Sequence, residues 1–370
     1  MKGAMSTTSI TIQPIRIPES LETSDAEDFV ASSELANLVT GQLWGNNDLW
    51  VSPAVRLEGA RANDYEQSLL WAAKDGDRHV GRAVLEMTKR DNLHSAFVYV
   101  MVHPGFRRQG IARELLWTAE ASARDHGRRV LQSYSEHRAG FDPEAADVLR
   151  AKTGTGSLPG SSAAVCFARS HGYELEQVER FSVLALPADD ARIESLESQA
   201  AAKAAEYRLV VWEDVCPEEF VDQYALLRQR MSTDVPLGEI DYQEEAWDRA
   251  RVRQGEEELR RKGGHSLVIA ALQLASGELA GHTFLDYYPE KPDVIYQEDT
   301  LVLRAHRGHS LGMLMKAHNL LRVGRIWPEG QRLLTWNAAE NEHMLAINDA
   351  LGFVPAGYEA AWQKRLGASA

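Results

Sequence analysis

The chain has 370 residues, a net charge of −14 and a pI near 5.4. That length exceeds what one hydrophobic core usually organises and predicts two domains. An apolar share of 44% is that of a soluble globular protein. No basic patch suits a nucleic-acid backbone and no apolar run is long enough for a bilayer, so neither partner is expected. Cys166 and Cys216, the two cysteines, have no metal-ligand spacing. No metal is expected, and the thiols suit a reducing, cytoplasmic setting. The negative charge fits attraction of cationic acceptors as well as plain solubility. The opening Met1 to Met5 lacks the apolar stretch of a signal peptide and reads as an addition before Met5.

In chain order, residues 9–17 alternate as a strand and 25–39 read as a helix with Phe29, Val30, Leu35 and Leu38 inward. Residues 65–73 and 79–87 read as a hairpin around Lys74, Asp75, Gly76 and Asp77. A strand over 94–102 and a helix from Ile111 follow, then a strand over 130–134 and a short helix over 163–171. Between these, residues 138–162 collect Gly140, Gly154, Gly156, Pro159 and Gly160, the composition of a loop. A strand over 173–186 leads to an Ala- and Glu-rich, helix-prone connector over 188–206. The order then repeats: strand 207–212, helix 217–230, charged helix 241–262, strands 265–274, 278–287 and 294–303, helix 312–323, strand 332–336, helix 340–351 and strand 358–365.

The organising stretch is the apolar run ending at Val102, stopped by Pro104 and Gly105 and followed by Arg107, Arg108, Gln109, Gly110, Ile111 and Ala112. It predicts strand, tight loop and helix. A helix start presents free N–H groups and suits an anion. Small residues let the anion approach, and arginines add charged donors. Arg307, Gly308, His309, Ser310, Leu311 and Gly312 repeat the arrangement 200 residues later (307 − 107). Each copy closes with a glycine–aromatic pair, Gly172–Tyr173 and Gly352–Phe353. Recurrence at this spacing implies duplication of a domain. The first copy is longer between arginine and late glycine, 65 residues against 45, and the surplus falls in the 138–162 loop.

The two loops resemble the [Gln/Arg]-x-x-Gly-x-[Gly/Ala] pyrophosphate loop of the GCN5-related N-acetyltransferases (GNAT). The resemblance implies an α/β (α+β) fold of two tandem GNAT domains, each a mixed, mostly antiparallel central sheet flanked by helices. The expected limits are 8–187, a linker over 188–206, and 207–370. It implies acetyl-CoA as donor and a small-molecule amine as acceptor. The loop residues of both copies would hold the diphosphate, with Val100, Val102 and Val302 of the preceding strands along the pantetheine arm. Asn337 and Asn341 resemble the family's arm for the rest of coenzyme A. Ser310 departs from the pattern by replacing a glycine, so the first copy has the better loop.

Acetyl transfer to an amine requires a held donor, a neutral amine and a protonated or stabilised leaving thiolate. Many family members protonate that sulfur with a tyrosine four residues before the late glycine. Here Asn348 and Ala168 stand at those positions, and only Asn348 offers a donor. Glu298, with Asp299 beside it, is the expected general base at the head of the second loop-bearing strand; a solvated strand end is the structural alternative. His94, Tyr99 and Tyr134 are candidates in the first copy, as are Trp44, Trp50 and Trp71 for a pocket, each balanced by core packing. Asp234, Glu239, Asp241, Glu244, Glu245 and Asp248 would receive a cationic amine, or form a solvated helix face. The reading is a cytoplasmic acetyltransferase related in architecture to tandem actinobacterial enzymes. Its rivals are a non-catalytic CoA-binding sensor or scaffold, and a nucleotide- or phosphate-binding protein of similar topology.

Overall fold

A computed structural model describes residues 10–367. Met1 to Ser9, including the start of the expected first strand, lie outside the described residues. The elements begin with β1 (Ile10–Ile15), α1 (Glu27–Trp44), α2 (Pro53–Ala60), β2 (Glu66–Asp75), β3 (Arg78–Thr88), β4 (Ser95–Val102), α3 (Ile111–Asp125) and β5 (Val130–Arg138). Next come β6 (Val148–Arg150), β7 (Ser157–Pro159), α4 (Ala163–Ser170), β8 (Glu174–Ala185), α5 (Asp190–Lys203) and β9 (Tyr207–Glu213). The rest are α6 (Val221–Asp234), α7 (Arg249–Arg261), β10 (His265–Gln273), β11 (Leu279–Tyr287), β12 (Val294–Val302), α8 (Leu311–Ile326), β13 (Arg332–Ala338), α9 (Glu342–Leu351) and β14 (Val354–Arg365).

Two compact units form, and neither is one continuous stretch. Of the described residues, one holds 10–134, Gly172–Glu174 and 362–367. The other holds Ser135–His171 and Leu175–Ala361. The expected boundary at 187 and 207 does not separate them, because β8 pairs with β13 from Ala185↔Arg332 to Glu179↔Ala338.

In the first unit β1, β2, β3 and β4 run antiparallel in sequence order and β5 lies parallel to β4. Gly76 takes a φ of 60° in the β2–β3 turn, which suits the twist of a two-residue hairpin. Ser52 caps α2 by accepting from the Val55 N–H, and Pro53 follows in the first turn. Phe29 of α1 and Leu57 of α2 cover one sheet face with Ile15, Leu70, Ala72 and Val84. On the other face α3 presses close at Gly81, where a Cβ would lie 2.9 Å from Leu115 and 3.0 Å from Ile111. Lys364, from the last residues of the chain, donates to buried Glu120 of α3 at 2.7 Å. Tyr173 donates to the same carboxylate at 3.3 Å.

In the second unit the strand order is β14, β8, β13, β12, β11, β10, β9. Helices α6 and α7 cover one face through Val221, Tyr224, Leu227 and Val252. Helix α8 covers the other with Ala317, Leu320 and Val323. The 188–206 stretch, expected as a connector, is α5, whose Ile193 and Ala200 are buried against this core. The charged helix is shorter than the expected 241–262, since Asp248 caps it by accepting from the Arg251 N–H. The glycine-rich insertion is not plain loop. Strands β6 and β7 pair within it, and Gly156 packs so tightly that a Cβ would be 2.6 Å from Val178. It lies in the second unit, where Gly238 of the α6–α7 loop abuts Thr153 at 3.0 Å from an ideal Cβ. The tight packing of Gly156 and Gly238 fixes it there.

Candidate active site

Both copies open the same split in their sheets. Strands β4 and β5 stay paired only over Ser95–Phe97 and Val130–Gln132. Strands β12 and β13 stay paired only over Val294–Tyr296 and Arg332–Leu334. Just past the last pair a hydroxyl stitches the strands at matching positions. Ser133 Oγ donates to the Val98 carbonyl at 2.7 Å, and Thr335 Oγ1 to the Gln297 carbonyl at 3.4 Å.

The predicted loops follow β4 and β12, each after one turn of 3-10 helix, Pro104–Phe106 and Arg304–His306. Their backbones match despite different residues. Arg108 and Gly308 take φ of 64° and 89°, and Gly110 and Ser310 take 84° and 58°. Each loop thus has two left-handed residues, of which only one is glycine. Ser310 keeps the loop's shape at a cost in strain, about 1–2 kcal/mol for a non-glycine residue. Neither Gly110 nor Ser310 caps its helix with a side chain, so the first N–H groups of α3 and α8 have no capping partner there. Successive N–H groups beside left-handed residues form an anion-accepting concavity.

Arg107 and Arg307 do something other than wait for phosphate. Each donates its Nε to the carbonyl of the valine ending its strand, Val102 at 3.3 Å and Val302 at 3.1 Å. Arg307 also reaches the Asp234 carbonyl at 3.3 Å. His309 and His306 both pack on Tyr207, with ring centroids at 5.3 and 5.8 Å. Gly312 lies against Ile347 of α9. Gln109 and Ala112 occupy the matching places in the first loop, and Ile111 and Leu311 bury their side chains.

Glu298 lies at an irregularity of β12. Two residues, Glu298 and Asp299, oppose the single Phe284 between the pairs Thr283↔Thr300 and Leu285↔Gln297. Such a bulge re-aims side chains. Glu298 is exposed, yet desolvation by the protein packed around it pushes its carboxyl up to about 7, with Asp299 adding and Arg228 opposing. Burial and Glu298 likewise push Asp286 up. Arg228 of α6 pairs with Asp299 at 3.5 Å and stacks over Trp247 and Phe284. Buried His282, pushed down to about 3 by burial and by Arg228, is a neutral imidazole there. Arg228, Asp286 and His282 were not singled out from sequence; Asp286 and His282 lie on a predicted strand without motif.

Asn348 is fully buried, not a helix-surface amide, and donates to Asn337 Oδ1 at 2.6 Å. Asn341 caps α9, accepting from the Met344 N–H at 3.3 Å. Of the acidic residues expected to meet an amine, several are already engaged. Asp234 pairs with Arg304, Glu244 with Arg230 and Glu245 with Arg251, while Asp248 caps α7. The first copy has no register shift between β3 and β4, and its split carries Phe97, Tyr99 and Tyr134 side by side. Cys166 and Cys216 are free. Among the described residues no metal-holding group of His, Cys, Asp or Glu occurs, and no helix is long and apolar enough to cross a membrane.

Residues 40–140 match the model of the acetyltransferase (GNAT) family. Over the whole chain, a tandem GNAT protein from the clavulanic acid biosynthesis pathway superposes with a TM-score of 0.71 at 25% identity, covering 98% of this chain and 100% of that one. A GCN5-related N-acetyltransferase from Sphaerobacter thermophilus gives a TM-score of 0.59 at 14% identity, covering 98% of both chains. The glucosamine N-acetyltransferase region of a fungal multi-domain β-N-acetylglucosaminidase gives 0.61 at 12% identity, over 97% of this chain and 38% of that one. The latter two share the fold. No curated protein matches the chain. The chain has a tandem GNAT-type fold, and with the family match over residues 40–140 this supports acyl transfer.

Proposed function

We propose that the protein is an N-acetyltransferase that moves an acetyl group from acetyl-CoA to a small amine, and that the second copy performs the chemistry. One observation carries this: an accessible carboxyl poised near neutrality, Glu298, at a bulge beside the split in the sheet. The residues fit the donor. The uncapped first turns of α3 and α8, with Arg108, Gly110, Gly308 and Ser310 in left-handed conformations, would hold its diphosphate. Bound acetyl-CoA supplies a thioester, an acyl group activated toward amines.

The chain's own groups do the rest. Arg107 and Arg307 brace the loops, so the N–H groups are positioned in advance. Glu298, as carboxylate above about pH 7, takes a proton from the incoming ammonium, directly or through water. Arg228 holds Asp299 in place, which keeps a second negative charge beside the base and favours a cationic acceptor. Asn348 positions Asn337. A non-catalytic role fits the first copy better, because it lacks the bulge and has Tyr99 and Tyr134 at its split. Amine-dependent release of CoA, measured for wild type and Glu298→Gln over a panel of small amines, tests the proposal. Turnover lost in the variant supports it; donor binding with no turnover on any amine favours a sensor.

A further inference from the structure

The first unit carries a chemistry of opposite sign on one face of its sheet. On the face covered by α1 and α2, three rings form a floor. Phe97 lies 5.5 Å from Tyr134 and 6.5 Å from Tyr99, and Tyr99 lies 6.2 Å from Tyr134, with planes within 34° of one another. Tyr99 packs on the cluster of Phe29, Leu57 and Val84. Arg82 stands on the same side of β3, two residues from Val84, the register partner of Tyr99. Its Nη1 donates to the Ser32 carbonyl at 3.2 Å. Arg56 comes from α2, and its Nη2 donates to Asn37 Oδ1 at 3.1 Å. That oxygen also accepts from the Val51 N–H at 3.1 Å.

Both guanidiniums are therefore held by neutral oxygens. Two buried polar atoms beside them have no hydrogen-bond partner: Arg56 Nε, and the hydroxyl of Ser32, which is 1% exposed. The arginines also disfavour each other. Burial pushes Arg82 down to about 9, with Arg56 adding to the effect and Glu86, on an exposed position of the same strand, opposing it. Glu86, the register partner of Phe97, shares that face of β3, so two guanidiniums stand against one exposed carboxylate; burying the excess positive charge is costly, and a bound anion relieves that cost. Guanidiniums match a carboxylate's two oxygens, and flat rings suit an apolar body. The second copy does not share this charge: 200 residues on, Arg82 is replaced by the uncharged His282.

We propose that this face of the first unit binds an organic carboxylate with an aromatic or apolar body, its carboxylate on Arg56, Arg82 and Ser32 and its body on the Phe97–Tyr99–Tyr134 floor. The site is independent of which copy transfers acyl groups. Calorimetric titration of the full chain with benzoate, benzamide and benzylamine tests it, in wild type and in Arg82→Met, Arg56→Met and Arg82→Lys, each checked for an unchanged melting temperature. Benzoate should bind at least tenfold more tightly than benzamide, with no binding of benzylamine. The Met variants should erase that preference, and Arg82→Lys should keep part of it. Equal binding of benzoate and benzamide, no benzoate binding, or a preference that survives both Met variants would overturn the assignment. Should a Met variant fail to fold, the wild-type panel and Arg82→Lys still decide.

Discussion

Arg107 and Arg307 stand 200 residues apart and make the same bond, each turning its Nε onto the carbonyl of the valine five residues before it, at 3.3 and 3.1 Å. The loop arginine is thus a brace across the strand-to-helix turn. A hydrogen bond from a charged donor contributes about 1.5–3 kcal/mol, less where water competes. Arg307→Met should therefore lower stability modestly, by about 1 kcal/mol in denaturant titration. It should weaken acetyl-CoA binding more than it lowers turnover at saturation, since the loop must be ordered anew on binding.

Ser310 sits at φ 58° without a hydrogen bond from its side chain to the helix. Ser310→Gly keeps the loop and removes the strain, so it should stabilise the protein by about 1 kcal/mol. An upward shift of the urea midpoint at unchanged slope checks this.

Much of this repeat was legible. The two loops, the strand before each and the helix after each follow from Pro104, Gly105, Gly110 and their counterparts, because turn and helix-start chemistry is local. What was not legible depends on distant partners. Nothing near Glu179 tells that it pairs with Ala338 of β13, 159 residues on (338 − 179). The bulge at Glu298 exists only relative to β11, so the sequence marks this carboxylate by its place on the strand beside Asp299 and not by the re-aiming of its side chain. Asn348 reads from sequence as a donor to the leaving sulfur, but its amide is buried and donates to Asn337, a partner eleven residues away (348 − 337) that no local pattern reveals. The acidic stretch before α7, with Glu244 and Glu245, reads as a continuation of the charged helix; Asp248 sets the helix start by capping.

Glu298 should shape the pH profile. Its carboxyl is raised to about 7, so the active carboxylate accumulates as pH rises through that value. Wild-type kcat/KM should climb to a plateau above pH 7. Glu298→Gln should lose about 10²–10⁴-fold at pH 8 and lose the climb as well. A variant with an unchanged profile would assign the proton transfer elsewhere.

Glu359 and Glu179 load the second unit with acid. Burial raises them to about 8 and about 7, with Glu179 and Glu136 acting on the first and Glu340 on the second. A carboxyl whose folded value is raised contributes fully below its unfolded pKa near 4.5 and loses that contribution as pH rises through the folded value. Stability should therefore fall between about pH 4.5 and 8. Glu359→Gln should flatten this fall and gain about 1–2 kcal/mol at pH 8.5, after allowance for screening. Thermal melts across that range check it.

Lys364 neutralises Glu120, which is 2% exposed. Lys364→Met leaves that carboxylate with Arg124 at 3.4 Å and Tyr173 at 3.3 Å, and should destabilise the first unit by about 3 kcal/mol. The double change Lys364→Met, Glu120→Gln should recover part of the loss, which a thermodynamic cycle would measure.

The central claim is that the uncapped helix starts of α3 and α8 receive the diphosphate of coenzyme A. Arg108 and Gly308 occupy the same left-handed loop position, and a side chain at Gly308 meets nothing within 4 Å. Aspartate tolerates this conformation and would put a negative charge among the N–H groups. Calorimetric titration of acetyl-CoA into wild type, Arg108→Asp, Gly308→Asp and the double variant is the most direct measurement. Binding should weaken at least tenfold in Gly308→Asp, with turnover lost alongside it, and should vanish in the double variant. Wild-type protein that binds no acetyl-CoA, or a double variant that binds it as wild type does, would contradict the account.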